Sequence, residues 1–259
     1  MVQHYIHSIL MGDRSVIDRA KDAPPDFLSE LARNWPAMSP VSREIAIRML
    51  EKIDSPQGAA FLLKATVDPS SQVANGAARA FSTQSHPPSG DSILALIPAR
   101  QSPFVRGCLY LAAGKAACGL EALRRFAATE ADPAAALDAQ AAMVFREGVP
   151  ERLAFFERVR KAASDEVRAI SQHLFYINDP ALAKGMLPWL NNTTGVMRIG
   201  FDGPGGYRQA RMCDFAIWNG AKLGLATGAG TSISNYDPNH ISRVRKIYAA
   251  LPDPQPDLA

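Results

Sequence analysis

The 259-residue sequence predicts an all-α fold, and three features of it carry that prediction. Apolar anchors recur at Val41, Val73, Val105, Leu137 and Val167, at spacings of 32, 32, 32 and 30 residues. A capping side chain followed by proline stands repeatedly in register with that period. Small residues crowd the same segments. A helix of about 14 residues, a turn, a second helix and another turn fill about 30 residues, and such a hairpin must stack on its neighbours to cover its apolar faces. The expected architecture is therefore a right-handed α-α superhelix of about six helical hairpins.

Residues 1–38 read as helices over 3–11, 13–21 and 25–35, an N-terminal helical cap of the atypical kind that ends repeat arrays. Asp22-Ala23-Pro24-Pro25 separates the last of them. Residues 39–190 hold the repeats. Ser39-Pro40-Val41-Ser42-Arg43-Glu44-Ile45-Ala46 aligns with Ser71-Gln72-Val73-Ala74-Asn75-Gly76-Ala77-Ala78. Segments around Val105, Leu137 and Val167 follow. The first helix of a unit carries apolar residues at helical spacing, as in Ile45, Met49 and Leu50, or Val73, Ala77, Ala80 and Phe81. Asp68-Pro69, Ser102-Pro103, Asp132-Pro133, Asp179-Pro180 and Asp237-Pro238 each place an acceptor ahead of a proline at a helix start. Ala74, Gly76, Ala77, Ala112, Ala113, Ala139 and Ala141 would let helices approach closely. Over 191–259 the rhythm breaks into an irregular last repeat, still part of one continuous solenoid. Residues 191–206 are rich in turn formers, a helix is expected over 207–225, a glycine-rich loop over 226–236, and a final helix from Asp237-Pro238 to about Leu251. A short tail ends the chain.

Ala163-Ser164-Asp165-Glu166-Val167-Arg168-Ala169-Ile170, with Asn178-Asp179-Pro180-Ala181-Leu182 and Met186-Leu187-Pro188-Trp189-Leu190, resembles the HEAT-like repeat of phycobilin lyases. The segment from Asp68-Pro69 to Ala80 resembles it too. The resemblance covers about residues 39–190 and implies a HEAT/ARM-like solenoid, with first helices on the convex face and second helices on the concave one. Cys213-Asp214-Phe215-Ala216 is similar to a terminal repeat of bacterial HEAT proteins. Neither resemblance implies an activity.

Composition narrows the function classes. The chain is 47% hydrophobic and 20% charged, as folded domains are. Its three cysteines, Cys108, Cys118 and Cys213, lack paired or CxxC spacing and read as reduced core thiols. No secretory signal and no run of about 18 apolar residues is visible, which points to a cytoplasmic protein that does not span a membrane. A net charge of +3 does not demand nucleic acid.

Motifs for catalysis, cofactors and metals are missing from the pattern. Gly114-Lys115 lacks the upstream glycine of a phosphate loop, and no βαβ unit accompanies the glycines at 200–206. His4, His7, His86, His173 and His240 are scattered without a His-Glu pair, so the ligand signature of HEAT-type hydroxylases is absent. No catalytic residue, metal site or cofactor is expected. The loops at 191–206 and 226–236 flank opposite ends of a helix of about 18 residues, roughly 27 Å long, and are not expected to converge on one ligand. The first reads as a long loop, with a short hairpin through 196–199, or as a partner-binding loop carrying Asp202 and Tyr207.

Basic residues supply the remaining candidates. Arg124, Arg125, Arg152, Arg158, Arg160, Lys161, Arg243 and Arg245 would form a mildly basic stripe if second helices face the concave side. Solvated helix faces explain such runs equally. Trp35 and Trp218 read as core or cap packing residues. Two functions stay open: a non-catalytic interaction scaffold binding a partner protein on the concave face or C-terminal loops, or a HEAT-type nucleic-acid binder or DNA glycosylase using the basic groove.

Overall fold

The computed structural model describes residues 2–200, 207–230 and 232–254. It is mostly helical with little sheet, and it divides into two compact units, Met1–Ala142 and Met143–Ala259. Among the described residues, no helix is long and apolar enough to cross a membrane.

The first unit starts with α1 (Val2–Leu10), a 3-10 run (Arg14–Asp22), α2 (Phe27–Asn34) and a 3-10 turn (Trp35–Ala37). Then come α3 (Pro40–Lys52), α4 (Pro56–Ala65), α5 (Ser71–Ser82), α6 (Gly90–Leu94), α7 (Pro103–Lys115), α8 (Leu120–Ala127) and α9 (Pro133–Phe145), which runs across the division. Alternate helices stack: α3 packs on α5 and α5 on α7, while α4 lies against α5 and α6 against α7. The stacked faces bury Ile45, Met49 and Leu50, then Val73, Ala77, Ala80 and Phe81, then Val105, Leu109 and Ala113. Each large side chain so buried stabilises the fold by about 1.5–3 kcal/mol.

Close approach needs the small residues. A Cβ added at Gly107 would sit 1.9 Å from an Asp138 carboxylate oxygen. Four of the five apolar anchors are buried, but Val41 is 53% exposed. Ser42 turns inward beside it, and its hydroxyl pairs with Ser39 Oγ at 2.9 Å.

The helix starts follow the expected chemistry with one shift. Ser102, Asp132, Asp179 and Asp237 accept backbone N–H groups of the turn that follows. Asp68 instead receives the Ser70 amide at 2.9 Å, so it caps the turn and the helix begins after it, at Ser71.

A second device recurs at equivalent places. Four residues past its cap, Arg43 of α3 reaches Asp68 at 2.9 Å; four past Ser102, Arg106 of α7 reaches Glu130 at 2.7 Å. Both carboxylates are buried, and each also accepts an amide of its own turn, from Ser70 or from Asp132. Arg106 further donates to the carbonyls of Arg100 and Gln101. These clamps tie the first turn of one helix to the turn that launches the next hairpin.

The second unit contains α10 (Val149–Lys161), α11 (Val167–Ile177), 3-10 runs at Pro180–Met186 and Pro188–Asn191, β1 (Gly195–Gly200), β2 (Tyr207–Arg211), α12 (Met212–Lys222) and α13 (Pro238–Ala249). Trp189 is buried and donates to the Val159 carbonyl at 2.8 Å, which seats the 3-10 runs on α10. α12 packs on α11 and α13. Tyr248 of α13 donates to the Ala216 carbonyl at 2.5 Å.

One expected element is replaced. Residues 207–211 form a strand rather than the first turns of a helix, paired antiparallel with β1 and with a bulge near Gly195. Burial alternates along it: Ala210 and Met212 are buried while Gln209 is exposed and Arg211 half-buried, a two-residue period.

The Arg106–Glu130 clamp gives a stability prediction. The hydrogen bond from Arg106 holds the Glu130 carboxyl below the usual glutamate range, against the opposing effect of burial. Its contribution is complete above the unfolded glutamate pKa of about 4.3 and disappears as pH falls through the lower folded value. Arg106→Ala should cost about 3 kcal/mol in urea unfolding at neutral pH, because it leaves a buried carboxylate unpaired. That difference should shrink as pH falls through the acid range; a loss under about 1 kcal/mol at pH 7 would show the clamp to be incidental.

Candidate functional site

The first unit carries an open cleft of about 770 Å³. Its walls arise from helices that are apolar on more than one face. α2 buries Phe27 and Leu31, while Leu28 and Ala32, one residue further round, line the cleft and lead on to Trp35. Pro36 stops the helix there and turns the chain. α4 buries Ala59 and Leu62, while Gln57, Ala60, Phe61 and Lys64 line the cleft at i, i+3, i+4 and i+7. Val67, Asp68 and Pro69 close the far side.

Aromatic and ionic contacts fix this geometry. The Trp35 and Phe61 rings meet edge to face, with centroids 4.9 Å apart and planes at 79°. The Arg43 guanidinium lies 5.7 Å from the centroid of the Trp35 ring while it holds Asp68. The clamp that joins two hairpins therefore also steadies one wall of the cleft. Mostly apolar walls with a few placed polar groups, in a volume between about 300 and 1,000 Å³, are what ligand and side-chain pockets require.

Across the turn at Val67–Pro69 lies a second cleft of about 390 Å³. Its other walls come from α5 and from the turn before α7, including Asn75, Arg100 and Ser102. Ser102 Oγ donates to Asn75 Oδ1 at 3.1 Å. Arg100 donates through Nε to Thr66 Oγ1 at 3.0 Å. Burial lowers the pKa of Arg100.

The basic residues expected to form a stripe fall in both units. Arg124 and Arg125 belong to the first unit, the other six to the second. Five of the eight hold a carboxylate: Arg124 with Glu121, Arg152 with Asp179, Arg158 with Glu166, and both Arg160 and Lys161 with Glu157. Arg125 lies over the Phe126 ring at 5.4 Å. Arg243 stands 3.3 Å from His240 Nδ1, and Arg245 donates to Asn191 Oδ1 at 2.5 Å. Of the loop candidates, Asp202 and the Tyr207 side chain lie outside the described residues.

The second C-terminal loop does not stay at the far end of α12. The segment after α12 folds back along it: Thr227 Oγ1 donates to the Ile217 carbonyl at 3.0 Å, and the Tyr236 amide donates to Asp214 Oδ1 at 3.1 Å. Arg208 and Arg211 on β2 donate to the carbonyls of Ile233 and Tyr236. Asp214 is fully buried and accepts from the Arg211 amide and from two of its guanidinium nitrogens, at 2.8–3.0 Å. This carboxylate is surrounded by donors, so it pins the strand, the helix start and the returning loop.

Two of the three thiols, Cys108 and Cys213, are shifted upward. Burial and the nearby Asp138 push Cys108 up to about 12, and burial and Asp214 also raise Cys213. Both shifts disfavour the thiolate that nucleophilic chemistry needs. Among the described residues no group of histidine, cysteine and carboxylate side chains could hold a metal ion.

No protein-family model, curated protein or solved structure matches the chain.

The Asp214 pin is directly testable. Asp214→Asn should destabilise the protein by about 3 kcal/mol, since Arg211 then faces a neutral amide in a buried site. The Tyr236 amide should exchange with solvent much faster in that variant. Unchanged protection at Tyr236 would mean that the loop is held by other contacts.

Proposed function

We propose that this chain is a non-catalytic binding module, a HEAT-like α-α superhelix whose cleft at Trp35 and Phe61 takes an apolar side chain of a partner protein. The observation that carries this reading is the cleft itself. Leu28, Ala32, Trp35, Ala60 and Phe61 stand outside the buried faces of their helices and present apolar surface around one cavity. Val67 on its rim is 58% exposed. Apolar surface gathered in a walled groove, rather than scattered, is the mark of an interaction site. The superhelical reading is supported by the stacking of α3 on α5 and of α5 on α7, and by the clamps at equivalent positions of α3 and α7. The carboxylates beside five of the eight candidate cations reduce the positive field that a nucleic-acid groove would need.

A fill-in variant tests the reading. Ala60 is exposed on α4 and lines the cleft, so Ala60→Trp should occupy it while sparing the buried face. Peptides enriched on the parent chain from a phage-displayed random library should lose at least about ten-fold in affinity for Ala60→Trp, as loss of a central anchor does. The variant's melting temperature should stay near the parent's. Peptide binding that is indifferent to Ala60→Trp would place the binding surface elsewhere.

A further inference from the structure

The two clefts are neighbours, because Val67, Asp68 and Pro69 form a wall of both. Their charges do not balance. Arg43, Lys64 and Arg100 line them together with one carboxylate, Asp68, which leaves three cations against one anion. Arg43 is already committed to Asp68, and the other Asp68 oxygen receives the Ser70 amide. Lys64 is exposed on α4, on the helix face that carries Ala60 and Phe61.

Arg100 is the unusual member. It is partly buried, and its side-chain partner among the described residues is a neutral hydroxyl reached through Nε. Among the described residues its two terminal nitrogens have no hydrogen-bond partner, and a guanidinium presents them as a planar fork that matches a carboxylate. A desolvated cation without an anion is costly in the free protein, and a partner carboxylate relieves that cost on binding. The neighbouring Arg106 cannot take the same role, since Glu130 already grips it through both oxygens.

We propose that the partner is an acidic protein segment, with an apolar residue in the Trp35–Phe61 cleft and an aspartate or glutamate on Arg100 in the adjoining one. This rests on the reading of the first cleft as a docking site. The shared wall is a three-residue turn, so about two to four residues of extended chain separate anchor from acid. Lys64 supports the same sign of charge at the rim.

The test uses the full chain and twelve-residue random peptides displayed on phage, followed by synthetic copies of the enriched sequences. Enriched peptides should pair an apolar residue with Asp or Glu within about four positions, a span set by strand geometry. Arg100→Gln should weaken their binding at least about ten-fold, Arg100→Lys less, and raised salt should weaken it further. Melting curves of both variants check that the fold is retained. Peptides that lose affinity for Ala60→Trp yet carry no acid and ignore Arg100→Gln would overturn the inference while leaving the docking cleft in place. Absence of any peptide sensitive to Ala60→Trp would overturn both. A single-stranded oligonucleotide that displaces the peptides in an Arg100-dependent manner would assign the site to phosphate and overturn the inference as well.

Discussion

Apolar burial between α3, α5 and α7 is the constraint on which the first unit depends. A helical hairpin of this length has too little surface to bury its own faces, so each one borrows cover from the next. The cover works only if the helices come close, which is why Ala77, Ala78 and Ala80 fill the middle of α5 and why Gly107 lies against Asp138. Stacking alone would leave adjacent hairpins free to swivel. Arg43 with Asp68, and Arg106 with Glu130, remove that freedom by tying a helix start to the turn of the following hairpin. Their acids are buried and doubly bonded, so the clamps hold direction as well as distance.

The cleft follows from the same arrangement. α2 and α4 give one face each to the packed interior through Phe27, Leu31, Ala59 and Leu62. Both are apolar on an adjacent face as well, and those faces meet around a cavity instead of closing on each other. Trp35 and Phe61 brace it from within, and Arg43 connects it to the clamp. Apolar walls and a fixed aromatic pair, with Lys64 in the same lining and Arg100 in that of the adjoining cleft, are the features on which the proposed recognition of a side chain and its acidic neighbour rests.

Much of the helical pattern was legible in the sequence because its signals are local and repeated. The spacing of Val73, Val105, Leu137 and Val167 marked buried faces, and Ser102, Asp132, Asp179 and Asp237 marked starts. What escaped depends on contacts between distant residues. The strand at Tyr207–Arg211 competes with a helix of similar composition and is selected by pairing with β1. The return of the loop toward Asp214 depends on donors about 22 residues further on, at Tyr236. Net charge in a window does not reveal which acids pair with which bases one turn away, as Glu157 does with Arg160 and Lys161. The cleft had a visible signal in hindsight: Leu28, Ala32 and Trp35, like Ala60 and Phe61, extend the apolar surface of their helices beyond the buried stripe. Trp35, read from sequence as a packing residue, shares in packing through Phe61 and also lines the open wall.

Binding at the cleft of the first unit, as proposed, can be read directly from Trp35. The chain has three tryptophans, at positions 35, 189 and 218, and only Trp35 lines that cleft. Fluorine NMR of protein labelled with 5-fluorotryptophan therefore reports on the site without any change to it. Titration with a selected peptide should shift the Trp35 resonance and leave those of Trp189 and Trp218 in place. A shift at Trp189 or Trp218 with Trp35 unmoved would contradict the account.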